Sequence, residues 1–471
     1  MTKKIVYICE HIFNKMKYDI LIIGAGASGL MAGYSAARYA ADSGEDLRIC
    51  ILEKMPRPGR KIMISGKGRC NFTNLKDWNA FSAHIQSNPR LVRPAFYSFS
   101  PEDVISFFES FGMPTVVERG DRAFPQSYRA SDVVDTLVNA CMSLGVKIES
   151  GFEVSSISAG ERFSVEASDG RSHNAARLII ATGGLSYPGT GSTGSGLQWA
   201  GELGLKVTPV FPSLTALVPS SFKEGKGHIP RETPLSETGQ KFCGIQLKNI
   251  EAALKVEGTC AGREFGDIDF TDGGIEGPVG FQLSRKAVKS MLGGSRVVLT
   301  LDLKPGVELT ELTARVKSLW AEICEDPRSV GVREKEHCRI LLGKLMPRDL
   351  IPAFTATHPE IITLERRSRT ESKVWVNLVN IAKALKEWNF DIAGYVGWER
   401  AVVTAGGVAA EEILPKTLES RSISGLHFCG EVLDIDADTG GYNLQLAFCT
   451  GNLAGRSAAA GIMSSSSPDR R

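Results

Sequence analysis

Four basic side chains stand among glycines in the segment Gly59–Asn74, GRKIMISGKGRCNFTN, and this combination favours binding of an anion. The cations are Arg60, Lys61, Lys67 and Arg69. Glycine lets a backbone approach a ligand closely, and arginine and lysine bind phosphate and carboxylate groups. Three anions are compatible with the segment: a nucleic acid, a phosphorylated substrate, or a group that the chain itself carries.

A glycine motif near the N-terminus predicts a dinucleotide site. The apolar run Ile20–Ile23 is typical of a buried parallel strand, and Gly24, Gly26 and Gly29 follow in G-x-G-x-x-G spacing before an alanine-rich helix. The glycines allow a tight turn and close approach of a pyrophosphate, which the N–H groups of the helix N-terminus then bind. Glu53 ends the next strand, 24 positions beyond Gly29, where an acid accepts the ribose hydroxyls of adenosine. Strand, glycines, helix, strand and acid in this order predict dinucleotide binding.

Two later segments favour FAD over NAD as the tightly held dinucleotide. An apolar strand runs into the sequence ATGG at residues 181–184, which resembles the strand-end motif of flavoproteins with two dinucleotide domains. Near the C-terminus another apolar strand ends at Gly430, and a loop leads to a helix that begins at Gly440–Asn443. In such flavoproteins an acid after the last strand contacts the ribityl chain, and Glu431 stands in its place. The helix after Gly441 can direct N–H groups at the flavin pyrimidine carbonyl, which favours the anionic reduced flavin.

Together these stretches resemble the BaiN/RdsA family of FAD-dependent oxidoreductases. The resemblance extends from residue 18 to about residue 455 and is carried by seven segments: 24–29, 59–74, 181–196, 270–280, 401–413, 415–421 and 425–447. It implies a Rossmann-like FAD domain interrupted by an insert domain. It also places the loop Gly59–Asn74 along the FAD, with Cys70 near the flavin, so that the anion of this loop is the cofactor of the chain itself.

We therefore expect FAD to be the bound cofactor and NAD(P)H to be a transient electron donor, because no second G-x-G-x-x-G motif has a strand context. The expected FAD contacts come from the glycine turn, the strand ends and the loops named above: Gly24, Gly26, Ala27, Ser28, Gly29, Glu53, Lys54, Gly59, Arg60, Lys61, Ser65, Gly66, Gly68, Arg69, Cys70, Asn71, Thr182, Gly183, Gly184, Gly430, Glu431, Gly440, Gly441, Tyr442 and Asn443.

The predicted fold class is α/β, with a Rossmann-like FAD-binding domain (parallel sheet, G-x-G-x-x-G βαβ unit) interrupted by a mixed β-rich and helical insert domain. The predicted divisions are an N-terminal extension (1–15), the first part of the FAD domain (16–207), the insert (β-rich 208–308, helical 309–390), the second part of the FAD domain (391–460) and a disordered tail (461–471). We expect short strands in the first half of the insert, a helical excursion at 101–144, and a return to the first sheet at about Asp391.

Composition and charge exclude several classes of protein. The chain has 471 residues and a formal net charge of +2, so no global field attracts nucleic acid or an anionic membrane. No apolar run approaches the roughly 18 residues of a membrane span, and the first 15 residues do not form a signal peptide. The ten cysteines show no CxxC and the seven histidines no ligand spacing, which predicts no metal site and a cytoplasmic location.

Candidate proton donors are Cys70, Tyr442 and Asp272. The alternatives are that Cys70 is an inert neighbour of the flavin and that Tyr442 only caps its pocket. In the insert the family pattern is roughly FTHxGxSGP, whereas this chain has Asp272 in place of the histidine and Glu276 in place of the serine. If this segment reaches the active site, its proton chemistry differs here. Arg421 replaces a lysine, and we expect little consequence.

The leading functional hypothesis is a reductase in which NAD(P)H reduces FAD and the flavin passes hydride to an activated C=C bond of a small molecule. Three alternatives stay open: an oxidase of an amine such as aminoacetone, a reductase of uridine in structured RNA, and a non-catalytic flavin-binding interaction protein. Some relatives act on RNA, and the basic strip Glu365–Lys373 is the sequence feature that favours an RNA partner. A solvated surface is the alternative interpretation of that strip.

Overall fold

The computed structural model describes residues 15–329, 331–366 and 372–466. The chain forms two compact units, the first comprising residues 1–211 and 402–471 and the second residues 212–401. The side chains of the basic strip Glu365–Lys373 lie outside the described residues.

The strands are numbered in chain order. They are β1 Lys15–Ile23, β2 Ile49–Glu53, β3 Thr73–Asn74, β4 Thr115–Glu118, β5 Arg122–Pro125, β6 Lys147–Ser150, β7 Val154–Ala159, β8 Phe163–Ala167, β9 Ser172–Ile180, β10 Phe211–Ser213, β11 Leu217–Pro219, β12 Gly227–His228, β13 Gln246–Val256, β14 Thr259–Thr271, β15 Gly274–Glu276, β16 Val297–Asp302, β17 Ile362–Arg366, β18 Ser372–Val376, β19 Trp388–Tyr395, β20 Val403–Ala405 and β21 Leu426–Phe428.

The α-helices are numbered in the same way. They are α1 Ala27–Asp42, α2 Arg60–Ile64, α3 Trp78–Ser82, α4 Pro89–Ser98, α5 Pro101–Ser110, α6 Ala130–Ser143, α7 Ser195–Glu202, α8 Glu237–Phe242, α9 Gly277–Leu292, α10 Leu309–Glu325, α11 Glu334–Leu345, α12 Ile351–Thr357, α13 Leu378–Lys386 and α14 Tyr442–Ser466.

The first unit contains the parallel sheet that the sequence predicts. Its strand order is β6-β2-β1-β9-β8-β7, and β21 also pairs with β9. Strands β6, β2, β1, β9 and β21 run parallel, whereas β8 and β7 join antiparallel. Ile20, Leu21 and Ile22 of β1 are fully buried, as expected of a strand that is covered on both faces. Two candidate site loops, after β1 and after β21, therefore leave the same end of this sheet.

The region 101–144 is only partly helical. Helix α5 begins at Pro101, where Ser100 and Asp103 form a capping box, and α6 occupies residues 130–143. Between these helices, β4 and β5 form an antiparallel hairpin that also pairs with β3. The expected helical excursion is thus present as two helices, and the hairpin between them was not predicted, because strands of four residues carry too few positions for a periodic pattern to identify them.

The second unit is built on a closed sheet. The order β11-β15-β14-β13-β16-β19 is closed by pairing of β19 with β11, and β12 extends β19. The strands β13 and β14 have 11 and 13 residues, so the expectation of short strands was wrong for the centre of this sheet. Helices α10 to α13 follow from residue 309. Asp391 lies in β19, which pairs with β16 of this sheet, and the chain rejoins the first sheet at β21.

These observations confirm the predicted fold class. A Rossmann-like α/β domain carries the glycine turn, and an extra unit with a β-barrel interrupts it. Among the described residues, no helix combines the length and the apolar character needed to cross a membrane.

Candidate active site

The glycine turn between β1 and α1 is closely packed towards the protein and open on its other side. A Cβ at Gly24 would lie 2.5 Å from the carbonyl oxygen of Ala181, and Gly24 has a φ of +106°. A Cβ at Gly29 would lie 1.8 Å from the carbonyl oxygen of Gly24. In contrast, no atom lies within 4 Å of a Cβ placed at Gly26, and this residue caps α1 without a side-chain hydrogen bond. The N-terminus of α1 therefore faces open space in which N–H groups can bind phosphate.

Glu53 is fixed beside this turn by two backbone amides. Its Oε2 accepts a hydrogen bond from the N–H of Ala25 (2.8 Å), and its Oε1 accepts one from the N–H of Met55 (2.8 Å). Burial raises the pKa of the Glu53 carboxyl, and the two amide hydrogen bonds oppose that rise. Each carboxylate oxygen retains a second acceptor position, so the group can still accept hydrogen bonds from ribose hydroxyls. The adjacent Lys54 donates to the Thr193 hydroxyl (2.6 Å).

The loop after α2 adopts left-handed backbone conformations that are costly for residues with side chains. Lys67 and Cys70 have φ values of +57° and +56°, and Gly66 and Gly68 share this region with φ values of +56° and +85°. The N–H of Cys70 donates to the Ser65 carbonyl oxygen (3.1 Å), which closes the turn. Non-glycine residues with positive φ persist where the surrounding structure imposes them, and such residues cluster at ligand sites. The local geometry of this loop thus supports its assignment to the site.

Cys70 is a buried, protonated thiol in this loop. Its side chain is fully buried, and burial raises the pKa of the thiol to about 12. At neutral pH the thiolate population is therefore negligible, and the sulfur cannot act as a nucleophile without deprotonation. This environment fits an inert neighbour of a bound ring better than it fits an efficient acid.

Glu431 lies at the centre of a polar network that only part of the sequence analysis anticipated. Lys61 Nζ lies 2.6 Å from Glu431 Oε2, and Glu431 Oε1 accepts hydrogen bonds from the Ser186 hydroxyl (2.7 Å) and the Thr404 N–H (2.8 Å). Lys61 also donates to the Ser186 hydroxyl. Burial alone would raise the pKa of Glu431, but the charge and hydrogen bond of Lys61 bring that pKa below its ordinary value. Lys61 is thus the counter-ion of a carboxylate.

The ATGG segment packs directly on this network. A Cβ at Gly184 would lie 2.3 Å from the Thr404 hydroxyl oxygen and 3.0 Å from Glu431 Oε1. The Thr404 hydroxyl in turn accepts a hydrogen bond from the N–H of Leu185 (2.8 Å). Gly183, with a φ of +71°, makes the preceding turn. The sequence analysis did not single out Thr404 and Ser186 within the segments 401–413 and 181–196, since they meet Glu431 only through the fold.

The loop that precedes α14 meets the loop of Cys70. A Cβ at Gly441 would lie 2.4 Å from the Thr73 carbonyl oxygen and 2.8 Å from Asn71 Oδ1. Asn74 Nδ2 donates to the carbonyl oxygen of Gly440 (3.0 Å). Asn443 holds the same loop by hydrogen bonds to the N–H (2.9 Å) and carbonyl oxygen (2.8 Å) of Ala437. The structure therefore brings residues 71–74 next to Gly440 and Gly441.

Two buried side-chain oxygens in this region have no hydrogen-bond partner within the described residues: Asn71 Oδ1 and Asn74 Oδ1. Asn71 Oδ1 is the one that borders Gly441, at 2.8 Å from a Cβ built there. Buried amide oxygens in folded proteins are almost always paired. A bound group that carries an N–H donor would satisfy this oxygen, and the pyrimidine ring of a flavin carries such a donor.

Tyr442, the first residue of α14, stacks on a histidine. The rings of Tyr442 and His84 have centroids 4.3 Å apart and an interplanar angle of 20°, and Phe81 packs edge-on against Tyr442. His84 Nδ1 lies 2.9 Å from Asp438 Oδ2. Burial, together with the charges of Asp438 and Asp121, raises the pKa of the Tyr442 hydroxyl. The sequence analysis gave His84 no role, and its partner Asp438 lies 354 positions away in the chain.

Asp272, the third candidate proton donor, lies in the second unit and is paired there. The Asp272 carboxylate contacts Arg400, and its Oδ2 lies 3.5 Å from Arg231 Nε. Arg400 also donates a hydrogen bond to Glu276 Oε1 (2.9 Å). Burial alone would raise the pKa of Asp272, but Arg400 holds it below its ordinary value. Burial raises the pKa of Glu276. Asp272 also borders an open groove of about 520 Å³. As an ion-paired anion at neutral pH, Asp272 is an acceptor of protons rather than a donor.

The residues of the first unit fit FAD on three independent grounds. The N-terminus of α1 is open at Gly26, the Glu53 carboxylate is fixed next to it, and the unpaired Asn71 oxygen lies beside the glycines that precede α14. In the part of the chain that the structure describes, no three His, Cys, Asp or Glu side chains converge as a metal site. This fold and this site define a flavoprotein with a Rossmann-like FAD-binding domain.

Comparison with known proteins places this flavoprotein in a family. The chain belongs to the family described as HI0933-like protein Rossmann domain, whose model matches residues 18–457. This membership confirms the predicted resemblance and the class of FAD-dependent oxidoreductase.

Three curated relatives align over nearly the whole chain. The 3-dehydro-bile acid delta(4,6)-reductase of Clostridium scindens is 32% identical over 93% of this chain and 98% of its own length. The ribosomal RNA dihydrouridine synthase of Haemophilus influenzae is 30% identical over 91% and 95%. The ribosomal RNA dihydrouridine synthase of Escherichia coli is 28% identical over 92% and 96%.

Proposed function

We propose that this protein is a reductase that uses FAD to transfer hydride from NAD(P)H to an activated C=C bond of a small molecule. The observation that carries the proposal is the 32% identity to a delta(4,6)-reductase across 98% of that relative, combined with the site around Asn71 and Gly441. A dihydrouridine synthase also saturates a C=C bond, so both kinds of relative support the same reaction type.

The residues of the chain have distinct tasks in this proposal. When bound, FAD supplies the hydride chemistry, and the protein supplies binding, orientation and electrostatics. The open N-terminus of α1 at Gly26 holds the pyrophosphate, and Glu53 accepts the ribose hydroxyls. Asn71 Oδ1 accepts a hydrogen bond from the flavin ring, and the N-terminus of α14 stabilises negative charge that develops next to it.

The remaining FAD contacts predicted above stay part of the proposal, with two adjustments of role. Lys61 is bound to Glu431, so it acts on the cofactor by orienting the Glu431 carboxylate. Arg69 is paired with Glu118 (2.5 Å), so its charge is shared with the hairpin β4–β5.

We also propose a cytoplasmic location, which the nine described cysteines support because all are free thiols.

A steady-state assay separates the reductase from an oxidase. Purified protein is given NADH or NADPH with a 3-oxo-4,6-diene steroid as acceptor, and in parallel aminoacetone with oxygen. The proposal expects nicotinamide oxidation that depends on the steroid and yields the saturated product. Peroxide formation from aminoacetone, without any nicotinamide oxidation, would establish the amine oxidase instead. Flavin that no donor reduces would support a non-catalytic protein.

RNA is the second candidate substrate, and one surface of the first unit favours it. The guanidinium of Arg69 lies over the rings of Phe124 (4.7 Å) and Tyr128 (4.3 Å), which also contact each other, and the exposed Tyr128 has a φ of +54°. The same segment carries three exposed arginines, Arg119, Arg122 and Arg129, of which Arg122 pairs with Glu118 and Arg129 with Asp132. Aromatic and guanidinium groups in contact, together with further cations, are typical of surfaces that bind single-stranded RNA. We call Arg69, Phe124, Tyr128 and these three arginines the basic hairpin.

Two sets of arginine substitutions, one on each candidate surface, test whether RNA is the substrate. One variant replaces Arg119, Arg122 and Arg129 with Glu, and a second replaces Arg366, Arg367 and Arg369 of the strip with Ala. If RNA is the substrate, a labelled RNA hairpin binds the wild type with a steep salt dependence, and the first variant weakens binding at least about tenfold. A larger effect of the second variant would move the RNA surface to the strip. RNA that the wild type does not bind would exclude this candidate.

A further inference from the structure

A histidine–carboxylate pair stands at the entrance to α14. His84 Nδ1 lies 2.9 Å from Asp438 Oδ2, and Gln86 Nε2 donates to the other oxygen of the same carboxylate (2.7 Å). The backbone fixes the pair as well, because the N–H of Asp438 donates to the carbonyl oxygen of His84 (3.0 Å). The carboxylate therefore holds the imidazole at one nitrogen, and the His84 side chain is 31% exposed.

The pair is joined to the residues that meet the flavin in the proposed function. His84 stacks on Tyr442, and a Cβ at Gly440 would lie 3.1 Å from the Tyr442 ring. Gln86 and Asp436 connect the same two segments, since the N–H of Gln86 donates to the carbonyl oxygen of Asp436 (2.8 Å). The imidazole thus lies one ring away from the glycines at the start of α14.

Reduction of an activated C=C bond needs an acid as well as a hydride. The hydride forms a C–H bond at one carbon, the π electrons move to the other carbon, and a proton must form the second C–H bond there. The three acids considered from the sequence are less suited: Cys70 is a fully buried thiol, burial and the charges of Asp438 and Asp121 raise the pKa of the Tyr442 hydroxyl, and Asp272 is ion-paired with Arg400. A carboxylate-oriented imidazole is the arrangement that proteins commonly use for this step.

We propose that His84, oriented by Asp438, donates the proton that completes reduction of the C=C bond, and regains it from solvent at its exposed edge. This inference rests on the proposed reductase function. Asp438 accepts from Nδ1, so Nε2 is the nitrogen that delivers the proton. Among the described residues, the titratable groups that contact the imidazole are Asp438 and the stacked Tyr442, and the charge of Asp121 acts on the Tyr442 hydroxyl.

The test combines histidine mapping with separate measurements of the two half-reactions. Cofactor-free protein and FAD-loaded protein are treated with diethyl pyrocarbonate, and modification of each histidine is quantified by mass spectrometry. We expect FAD, together with the acceptor used above, to protect His84 several-fold. His228 is the matched control, because it is also paired with a carboxylate (Nε2 to Glu399 Oε1, 3.7 Å) but lies in the second unit. Equal modification of His84 with and without FAD and acceptor would overturn the proposal.

The variant His84→Asn keeps a donor towards Asp438 and removes the second ring nitrogen. We expect it to reduce FAD at the wild-type rate and to slow reoxidation of reduced flavin by the acceptor by roughly 10²- to 10⁴-fold. Asp438→Asn should slow that step less, and His228→Asn should not change it. Wild-type reoxidation by His84→Asn would overturn the role. If no acceptor reoxidises the wild type, the reductase function itself fails, and the mapping experiment still decides whether His84 borders the site.

Discussion

Lys61 Nζ and Glu431 Oε2 lie 2.6 Å apart although 370 positions separate the two residues in the chain. The pair connects α2, the short helix after β2, with the turn that follows β21, and both segments belong to the proposed FAD site. Because Ser186 and the backbone of Thr404 bind the same carboxylate, Glu431 connects four separate segments of the first unit.

Glu431→Gln should destabilise the first unit, because the neutral amide no longer balances the charge of Lys61. The pair is partly exposed, at 28% for the lysine and 20% for the glutamate side chain, so the penalty is moderate. We expect a loss of about 1 to 2 kcal/mol in the free energy of unfolding at pH 7, measured with urea.

The exposed pair of Arg38 and Asp42 on α1 provides the control. Both side chains are more than half exposed, and Arg38→Ala should cost less than about 1 kcal/mol. Equal losses in the two variants would show that the Lys61–Glu431 pair has no special structural role.

Gly26→Glu should produce a folded protein that purifies without flavin. No atom lies within 4 Å of a Cβ at this position, so the fold tolerates a side chain there, whereas the carboxylate occupies and repels the pyrophosphate position. The ratio of absorbance at 450 nm to that at 280 nm measures the flavin content.

Gly201→Glu is the matched control, because Gly201 of α7 is exposed and a Cβ there also meets no atom within 4 Å. It should retain a full complement of FAD. Normal flavin content in Gly26→Glu would show that the pyrophosphate lies elsewhere.

Cys70 should resist alkylation in the folded protein. Its thiol is fully buried and its pKa is raised to about 12 by burial, so almost no thiolate is present at pH 8. Iodoacetamide followed by mass spectrometry should label the exposed Cys243 and Cys260 and leave Cys70 unmodified until urea unfolds the protein. Rapid labelling of Cys70 under native conditions would instead mark it as a reactive, accessible thiol.

Arg400→Met should destabilise the second unit in a way that depends on pH. The substitution leaves Asp272 and Glu276 facing each other without their shared cation, at a cost of about 2 to 3 kcal/mol at pH 7. Since Arg400 depresses the pKa of Asp272, this stabilisation is present above the ordinary carboxyl pKa and is lost as the pH falls through the depressed value.

Urea unfolding of wild type and Arg400→Met at pH 7 and at about pH 3 measures that dependence. The difference between the two proteins should shrink at the lower pH. Arg231→Met serves as the control, because its side chain is 55% exposed and it should cost little at either pH. If the difference in unfolding free energy between wild type and Arg400→Met is the same at both pH values, the destabilisation results from lost packing and not from lost charge pairing.

The sequence predicted the parts of the site that are local in the chain. The strand, the glycine turn, α1 and Glu53 fall within residues 15–53, and each follows from backbone sterics and hydrogen bonding that short segments determine. The apolar runs of β1, β9 and β21 likewise identify buried parallel strands. The fold class was predictable for this reason.

The polar networks were not predictable, because they join residues that are distant in the chain. Thr404 and Ser186 are ordinary hydroxyl residues until the fold brings them to Glu431, and His84 meets Asp438 across 354 positions. The hairpin β4–β5 has strands too short for a periodic signal, and closure of the barrel depends on pairing of β19 with β11. Such features depend on tertiary packing, which one sequence does not show.

Anaerobic reduction of the purified protein tests the central claim, that this is an FAD-dependent reductase, most directly. NADH and then NADPH are mixed with the oxygen-free protein while the flavin absorbance near 450 nm is recorded, and a 3-oxo-4,6-diene steroid is added last. We predict rapid bleaching by one of the two nicotinamides and return of the absorbance when the acceptor is added. A flavin that stays oxidised with both donors but bleaches with aminoacetone would contradict the reductase and establish an oxidase.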